Sequence, residues 1–451
     1  MDLKNKRVLV VGLGKSGLSA AMFLREQGAR VTVSDTRSAT ALEKEIPALL
    51  DAGIMVESGG HGLLTFRRQD LIVISPGVPM ETPEVKQVKA FGLPVIGELE
   101  LASRYLQGRV VAITGANGKT TTTTLVAKLC HDSGMTTQVG GNIGLPVINL
   151  IAGSTSETVN VLEVSSFQLE TVEQFHPSIA VILNITPDHL DRHGSFENYV
   201  AAKQRIFANQ GPGDALVLNA DDRVTQMCAA RAKSEVFWFS ATRAVRQGTF
   251  VRDGAIVWVG KEGGVTEPIM PVTEIPLKGG HNLENVLAAV CVARLASVPA
   301  GSIRSTVAQF KAVEHRLEFV RKIDGVEFYN DSKATNVDAT MKAIASFTGG
   351  IHLILGGKDK ESDYSRMTDL LKERVKVVYT IGSAAEKVER QLHGVVKMKA
   401  AQTMQTAVAE AAKDAVAGDV VLLSPACSSF DQFDDYEHRG RVFRQLVNEL
   451  D

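Results

Sequence analysis

The run Val110-Val111-Ala112-Ile113-Thr114 leads directly into Gly115-Ala116-Asn117-Gly118-Lys119-Thr120 and then into four more threonines, Thr121 to Thr124. An apolar strand that turns through glycines into a helix aims unpaired backbone N–H groups and the positive helix end at an anion. Lys119 adds a mobile point charge for the outer phosphates of a nucleoside triphosphate, and Thr120 offers a hydroxyl to Mg2+. The stretch is a variant of the common G-x-x-x-x-G-K-[ST] loop, because Ile113 stands where its first glycine belongs.

On both sides of this loop, apolar runs of strand length alternate with longer amphipathic segments. That is the rhythm of parallel sheets covered by helices, an α/β fold. The chain of 451 residues is long enough for about three cores. The reading divides it at 1–97, 98–300 and 301–451. Strands are expected at Val8 to Val11, Arg30 to Ser34 and Leu71 to Ile74 in the first domain, and at Val159 to Leu162 and Ile179 to Leu183 in the second. In the third they are expected at Gly325 to Tyr329, Ile351 to Leu355, Lys376 to Ile381 and Val420 to Leu423.

Hydrophobic residues make up 44% of the chain and charged ones 22%, with a formal net charge of −2, which argues against a nucleic-acid surface and against a disordered tail. Cys130, Cys228, Cys291 and Cys427 are too widely spaced for a C-x-x-C metal pair or a secreted disulfide framework, and read as buried thiols. Met1-Asp2-Leu3-Lys4 runs straight into the first strand, leaving no room for a signal peptide. No apolar stretch reaches the roughly 18 residues of a membrane span. A soluble, cytoplasmic protein is expected.

Two further clusters carry chemistry. Gly12-Leu13-Gly14-Lys15-Ser16-Gly17 follows a strand and precedes the helical segment Leu18 to Gln27, with Asp35-Thr36-Arg37 at the end of the next strand. A dinucleotide and a uridine diphosphate group satisfy that pattern equally well. Downstream, Glu163 ends a strand where a carboxylate can reach a metal held at the phosphate loop, and Thr186-Pro187-Asp188-His189-Leu190-Asp191-Arg192-His193 follows the next strand. His189 reads as a site residue and His193 as a solvated loop residue. Read from the residues alone, Lys203 is a solvated helix lysine.

Several stretches in order then carry a resemblance: Gly115 to Thr120, Glu163-Val164-Ser165-Ser166-Phe167-Gln168, Asn184-Ile185-Thr186-Pro187-Asp188-His189, Gly280-His281-Asn282, His315-Arg316-Leu317-Glu318 and Asn330-Asp331-Ser332-Lys333-Ala334-Thr335-Asn336. Together they resemble the Mur ligase family, the ATP-dependent amide ligases of peptidoglycan precursor synthesis, over the whole chain. Asn330 to Asn336 and Ser424-Pro425-Ala426-Cys427-Ser428-Ser429-Phe430-Asp431-Gln432-Phe433 are most similar to the members that join D-glutamate to UDP-N-acetylmuramoyl-L-alanine.

The resemblance implies three α/β domains: an N-terminal Rossmann-like UDP-binding domain, a central P-loop ATPase-like domain with a parallel sheet, and a C-terminal Rossmann-like amino-acid-binding domain. It implies that Gly14, Lys15, Ser16, Asp35, Thr36, Arg37, Gly77 and Asn142 hold the UDP-sugar. ATP falls to Gly115, Asn117, Gly118, Lys119, Thr120, Thr121, Asn282, Arg316 and Asp331. Two Mg2+ ions use Thr120, Glu163, His189 and Lys203, the lysine carbamylated: an ammonium repels Mg2+, whereas its carbamate is an anionic oxygen ligand. Lys119, His189 and Lys203 are the expected catalytic residues. Thr335, Lys360, Ser429 and Phe430 are expected to take D-glutamate, with Tyr436 standing where the family has phenylalanine. A monomer with no nucleic-acid or membrane partner is expected.

Other readings compete with this one. An NAD-dependent oxidoreductase built on Gly12 to Gly17 leaves the phosphate loop unexplained, and a catalytically silent nucleotide-binding regulator has no use for Lys119, Glu163, His189 and Asp331. A folylpolyglutamate synthetase lacks a UDP-binding unit ahead of the loop, whereas 114 residues precede Gly115 here.

Overall fold

β1 (Arg7–Val11) is apolar beyond its first residue, and all four of Val8, Leu9, Val10 and Val11 are fully buried. Val8 and Val10 join one core with Ala20 and Leu24 of the helix Lys15–Glu26, while Leu9 and Val11 join another with Val85 and Val88 of the helix Pro83–Ala90. A strand buried on both faces needs helices on both sides, and a parallel sheet results. β1, β2 (Arg30–Asp35), β3 (Met55–Ser58), β4 (Leu71–Ile74) and β5 (Val95–Gly97) lie in the order β3-β2-β1-β4-β5, all parallel.

The second sheet has nine strands: β6 (Arg109–Thr114), β7 (Thr137–Gly141), β8 (Val159–Glu163), β9 (Ile179–Ile182), β10 (Ala215–Asn219), β11 (Glu235–Ser240), β12 (Gly248–Arg252), β13 (Ala255–Val259) and β14 (Thr266–Pro271). Their order is β14-β13-β12-β11-β10-β9-β6-β8-β7, and β6 pairs in parallel with both β8 and β9. The third sheet comprises β15 (Glu318–Ile323), β16 (Val326–Asn330), β17 (Ile351–Gly356), β18 (Val375–Ile381), β19 (Lys397–Gln402) and β20 (Val420–Leu423), in the order β15-β16-β20-β17-β18-β19. This computed structural model describes residues 1–261, 264–311 and 313–450.

The chain forms two compact units. One is 1–185 with 192–270 and 286–306; the other is 186–191 with 271–285 and 307–451. The first unit carries the first two sheets and the second carries the third. All nine expected strands form, to within a residue or two at their ends. The parallel rhythm is broken where β12 pairs antiparallel with β13 and where β15 pairs antiparallel with β16. Each pair is closed by a two-residue Asp-Gly turn, Asp253-Gly254 and Asp324-Gly325, with both residues at positive φ (49° and 73°, 47° and 83°). That backbone matches the twist of the flanking strands and favours glycine at its second position. Cys130, Cys228, Cys291 and Cys427 are all free and buried.

Candidate active site

In the first unit, β6 ends at Thr114 and the chain turns through Gly118, whose φ of +84° a side chain would oppose, into the helix Lys119–Asp132. No side chain caps that 14-residue helix, so its first N–H groups face outward as an anion site. Asn184, two residues beyond β9, latches the loop: its Oδ1 accepts from Asn117 N at 2.9 Å and its Nδ2 donates to Asn117 O at 3.1 Å. Lys119 Nζ donates to Gly115 O at 3.0 Å and Ala116 O at 2.9 Å. Thr121 is buried in the first turn.

Adjacent parallel strands bring two of the metal-site candidates, Thr120 and Glu163, together. Thr120 Oγ1 donates to Glu163 Oε2 at 2.8 Å, and Asn142, just past β7, donates from Nδ2 to Glu163 Oε1 at 2.8 Å. Lys203, on the helix Phe196–Gln204, is 1% exposed; its Nζ donates to Gly115 O at 2.8 Å and lies 4.7 Å from the centroid of the Tyr199 ring. The expectation of a solvated lysine is therefore wrong. No group of three or more His, Cys, Asp or Glu side chains among the described residues is placed to hold a metal. A cation here would rest on the Thr120 hydroxyl, the Glu163 carboxylate, water and phosphate oxygens, a hard-oxygen set that suits Mg2+.

On the first sheet, Asp35 holds the glycine turn. Its Oδ2 accepts from Leu13 N at 2.7 Å and its Oδ1 from Arg37 N at 2.8 Å, while Arg37 Nη2 donates to Leu13 O at 3.0 Å. Burial pushes the Asp35 carboxyl up, but the hydrogen bonds from Arg37 and Leu13 outweigh it and leave the pKa below the ordinary value. Gly14, Lys15, Thr36, Arg37, Gly77 and Asn142 are exposed, and Ser16 half-buried.

In the second unit, Asp331 is buried at the end of β16, where it accepts from Ser424 Oγ at 2.9 Å and Leu317 N at 3.2 Å. Burial pushes its carboxyl up to about 6, with Arg316 opposing. Arg316 Nε is buried without a hydrogen-bond partner among the described residues, an orphaned donor of the kind a nucleotide oxygen satisfies. Asn282 donates from Nδ2 to Lys278 O at 2.7 Å. Its neighbour His281 is driven down to about 4, mostly by burial and then by Arg316 and Lys342. His189, at φ +54°, lies on the 186–191 segment and so belongs to the second unit, unlike Thr120, Glu163 and Lys203. Asp188 beside it accepts from Asn336 Nδ2 at 3.1 Å.

The amino-acid candidates follow three adjacent parallel strands, β16, β20 and β17. Residues beyond the carboxyl ends of such strands form the usual site of an α/β domain. Thr335 and Lys360 are half-buried, Ser429 is buried and Phe430 is exposed. Ser428, beside Ser429, exchanges backbone hydrogen bonds with Lys358 at 2.9 and 3.1 Å, which joins the Ser429 and Lys360 loops.

The structure also supplies residues that sequence reading passed over. His193 is not solvated: its side chain is 2% exposed, with Nδ1 3.1 Å from Glu170 Oε1 and Nε2 3.0 Å from Ser166 Oγ, and it stacks on Phe167. Its apolar neighbours arrive from other elements, so spacing gave no warning. Arg192 donates to the carbonyls of Pro76, Gly77 and Val78 at 3.2, 3.3 and 2.9 Å and lies over the Phe167 ring at 4.5 Å, pinning the loop that carries Gly77. Beside that loop a small cleft is lined by Val78, Met80, Glu98, Phe167, Thr171 and Arg192, among others. Burial raises the Glu98 carboxyl to about 7, and its Oε1 accepts from Ile148 N at 2.7 Å.

Comparison with known proteins matches residues 6–97 to the Mur ligase MurD-like N-terminal domain, 113–293 to the Mur ligase middle domain and 315–427 to the Mur ligase glutamate ligase domain. The chain is 66% identical over 447 residues to the UDP-N-acetylmuramoylalanine--D-glutamate ligase of Acidobacterium capsulatum, covering 99% of this chain and 97% of that one. It is 58% identical over 450 residues to the enzyme of the same name from Koribacter versatilis, covering 100% and 99%. The fold is similar to that of a pseudomurein peptide ligase type C from Methanothermus fervidus (TM-score 0.63, 20% identity, covering 99% and 100%). It is also similar to that of the MurF ligase of Thermotoga maritima in complex with ADP (TM-score 0.61, 18% identity, covering 99% and 96%).

Proposed function

Since the chain belongs to the Mur ligase family, we propose that it is the ATP-dependent, ADP-forming ligase that adds D-glutamate to UDP-N-acetylmuramoyl-L-alanine. The observation that carries the chemistry is the Thr120 hydroxyl set 2.8 Å from Glu163 at an uncapped helix N-terminus, with Lys119 on the same loop.

A carboxylate does not react with an amine at neutral pH, and ATP supplies the γ-phosphoryl group that turns it into an acyl phosphate with a good leaving group. Lys119 and the first N–H groups of its helix neutralise charge on the transferring phosphoryl, with no reorganisation at the moment of reaction. Thr120 and Glu163 would hold Mg2+, with His189 and a carbamylated Lys203 assigned to the same role, and the metal would supply Lewis-acid stabilisation of charge on the phosphoryl oxygens. Asn282, Arg316 and Asp331 are assigned to the nucleotide. The turn fixed by Asp35 holds the UDP group with Gly14, Lys15, Ser16, Thr36, Arg37 and Gly77, and Asn142 reaches the sugar nucleotide. Thr335, Lys360, Ser429 and the Phe430 backbone take the two carboxylates of D-glutamate. Cytoplasmic action follows from these substrates. Among the described residues, no helix is long and apolar enough to cross a membrane.

The test is phosphate release from ATP in the presence of UDP-N-acetylmuramoyl-L-alanine and a panel of amino acids. Release that depends on D-glutamate, with L-glutamate inert, is expected; equal use of L-glutamate sinks the assignment. Two substitutions probe the parts. Asp35→Ala frees the buried Leu13 N–H and the Arg37 guanidinium, so UDP-sugar affinity should fall by on the order of 10- to 100-fold, with ATP affinity nearly unchanged. A Kd for NAD in the micromolar range, with no UDP-sugar binding, would return the glycine turn to an oxidoreductase. Lys360→Ala removes a cation facing a carboxylate, and should raise the KM for D-glutamate by the equivalent of about 1.5 to 3 kcal/mol. Unchanged D-glutamate kinetics in that variant would take Lys360 out of the pocket.

A further inference from the structure

Arg439 is fully buried, in the first turn of the helix Tyr436–Asn448. A helical side chain leans back toward the N-terminus, so this one reaches the loops ahead of its own helix. Its Nε donates to Ser332 Oγ at 3.0 Å, its Nη2 to Ser332 O at 2.7 Å and Cys427 O at 3.1 Å, and its Nη1 to Ser428 O at 3.3 Å. Ser332 Oγ in turn donates to Tyr436 O at 2.8 Å.

The placement is costly. A cation in the first helical turn faces the positive end of the dipole, and a buried charge ordinarily needs an ionised partner. Among the described residues no carboxylate pairs with this guanidinium; Asp431 and Asp331 act on it only through space. Burial lowers its pKa to about 10, which still leaves it charged at neutral pH. What it holds are the chain segments after β16 and after β20: Ser332 is three residues before Thr335, and Ser428 is next to Ser429. Through the Ser428–Lys358 backbone pair the segment bearing Lys360 is tied to the same point.

We propose that Arg439 is a positioning residue for D-glutamate: its fork fixes the spacing of the three loops that carry Thr335, Lys360 and Ser429. The proposal rests on the assignment of those loops to the amino acid. A planar guanidinium with donors on both edges reaches four acceptors on two loops, which an ammonium cannot do in the same geometry.

The experiment measures KM for D-glutamate, ATP and UDP-N-acetylmuramoyl-L-alanine, together with kcat and thermal stability, in Arg439→Lys, Arg439→Met and the milder Ser332→Ala. Arg439→Lys should raise the KM for D-glutamate tenfold or more and Ser332→Ala about threefold. The other two KM values should stay within twofold in both, with kcat at saturating D-glutamate little changed. An unaltered KM for D-glutamate in Arg439→Lys overturns the proposal, as does a parallel rise of all three KM values with lost thermal stability. If Arg439→Met fails to fold, Arg439→Lys and Ser332→Ala carry the test; if both arginine variants fail, the role is in folding and the proposal is wrong. Wild-type enzyme lacking D-glutamate-dependent phosphate release would instead refute the functional reading itself.

Discussion

Lys119→Ala is expected to abolish ligation, with a fall in kcat of about a thousandfold or more, while UDP-N-acetylmuramoyl-L-alanine still binds with nearly wild-type affinity. Lys119 rises from the phosphate loop with its ammonium 3.0 and 2.9 Å from the Gly115 and Ala116 carbonyls, poised over an uncapped helix N-terminus. Removing one preorganised donor that faces developing charge costs roughly 100- to 1,000-fold in kcat, and this donor carries a full charge. The proposed UDP contacts belong to the first sheet, so calorimetric titration with the sugar nucleotide should be little altered. Loss of sugar-nucleotide binding in step with activity would show that the two subsites are not separate.

Lys203→Ala should lose at least about 100-fold in kcat and regain part of it with a small added carboxylate such as acetate or formate. The side chain is buried against Gly115 O and Thr114 Oγ1, on the strand end and loop that lead to Thr120. The ammonium first gives up a proton; the uncharged amine nitrogen then bonds to the carbon of CO2 and releases a second proton, leaving an anionic oxygen in place of the ammonium. A carbonyl resonance from protein equilibrated with 13C-labelled bicarbonate, present in wild type and missing in the variant, gives a readout independent of turnover. Full activity in Lys203→Ala ends the carbamate assignment.

The strands that were legible are those that need no partner to be recognised. Leu71–Ile74 and Val420–Leu423 are wholly apolar and buried, and their observed bounds coincide with the expected ones. β3 went unseen because Met55–Ser58 is partly exposed along its whole length, as an outermost strand is, and lacks an apolar run. The two antiparallel pairs were readable in principle, since Asp-Gly between strand-forming residues is a strong hairpin signal, but the parallel rhythm of the rest hid them. At the site, Lys119, Thr120 and Glu163 are legible because each ends a strand or opens a helix in a motif of fixed chemistry. Arg192, His193 and Arg439 are not. Their roles arise from carbonyls and carboxylates far along the chain, and each sits among polar neighbours that read as a solvated surface.

The Asp253-Gly254 turn has a practical consequence. Both residues are exposed, and they close β12 and β13; three strands lie between β12 and β6 in the second sheet, and four between β13 and β6. At about 4.8 Å per strand, the turn sits some 19 Å across the sheet from the phosphate loop. An exposed tip remote from the chemistry is where a chain tolerates being opened or extended. A fluorophore, an affinity handle or a new pair of termini introduced between Asp253 and Gly254 would therefore report on this enzyme, or tether it, while leaving its nucleotide chemistry alone.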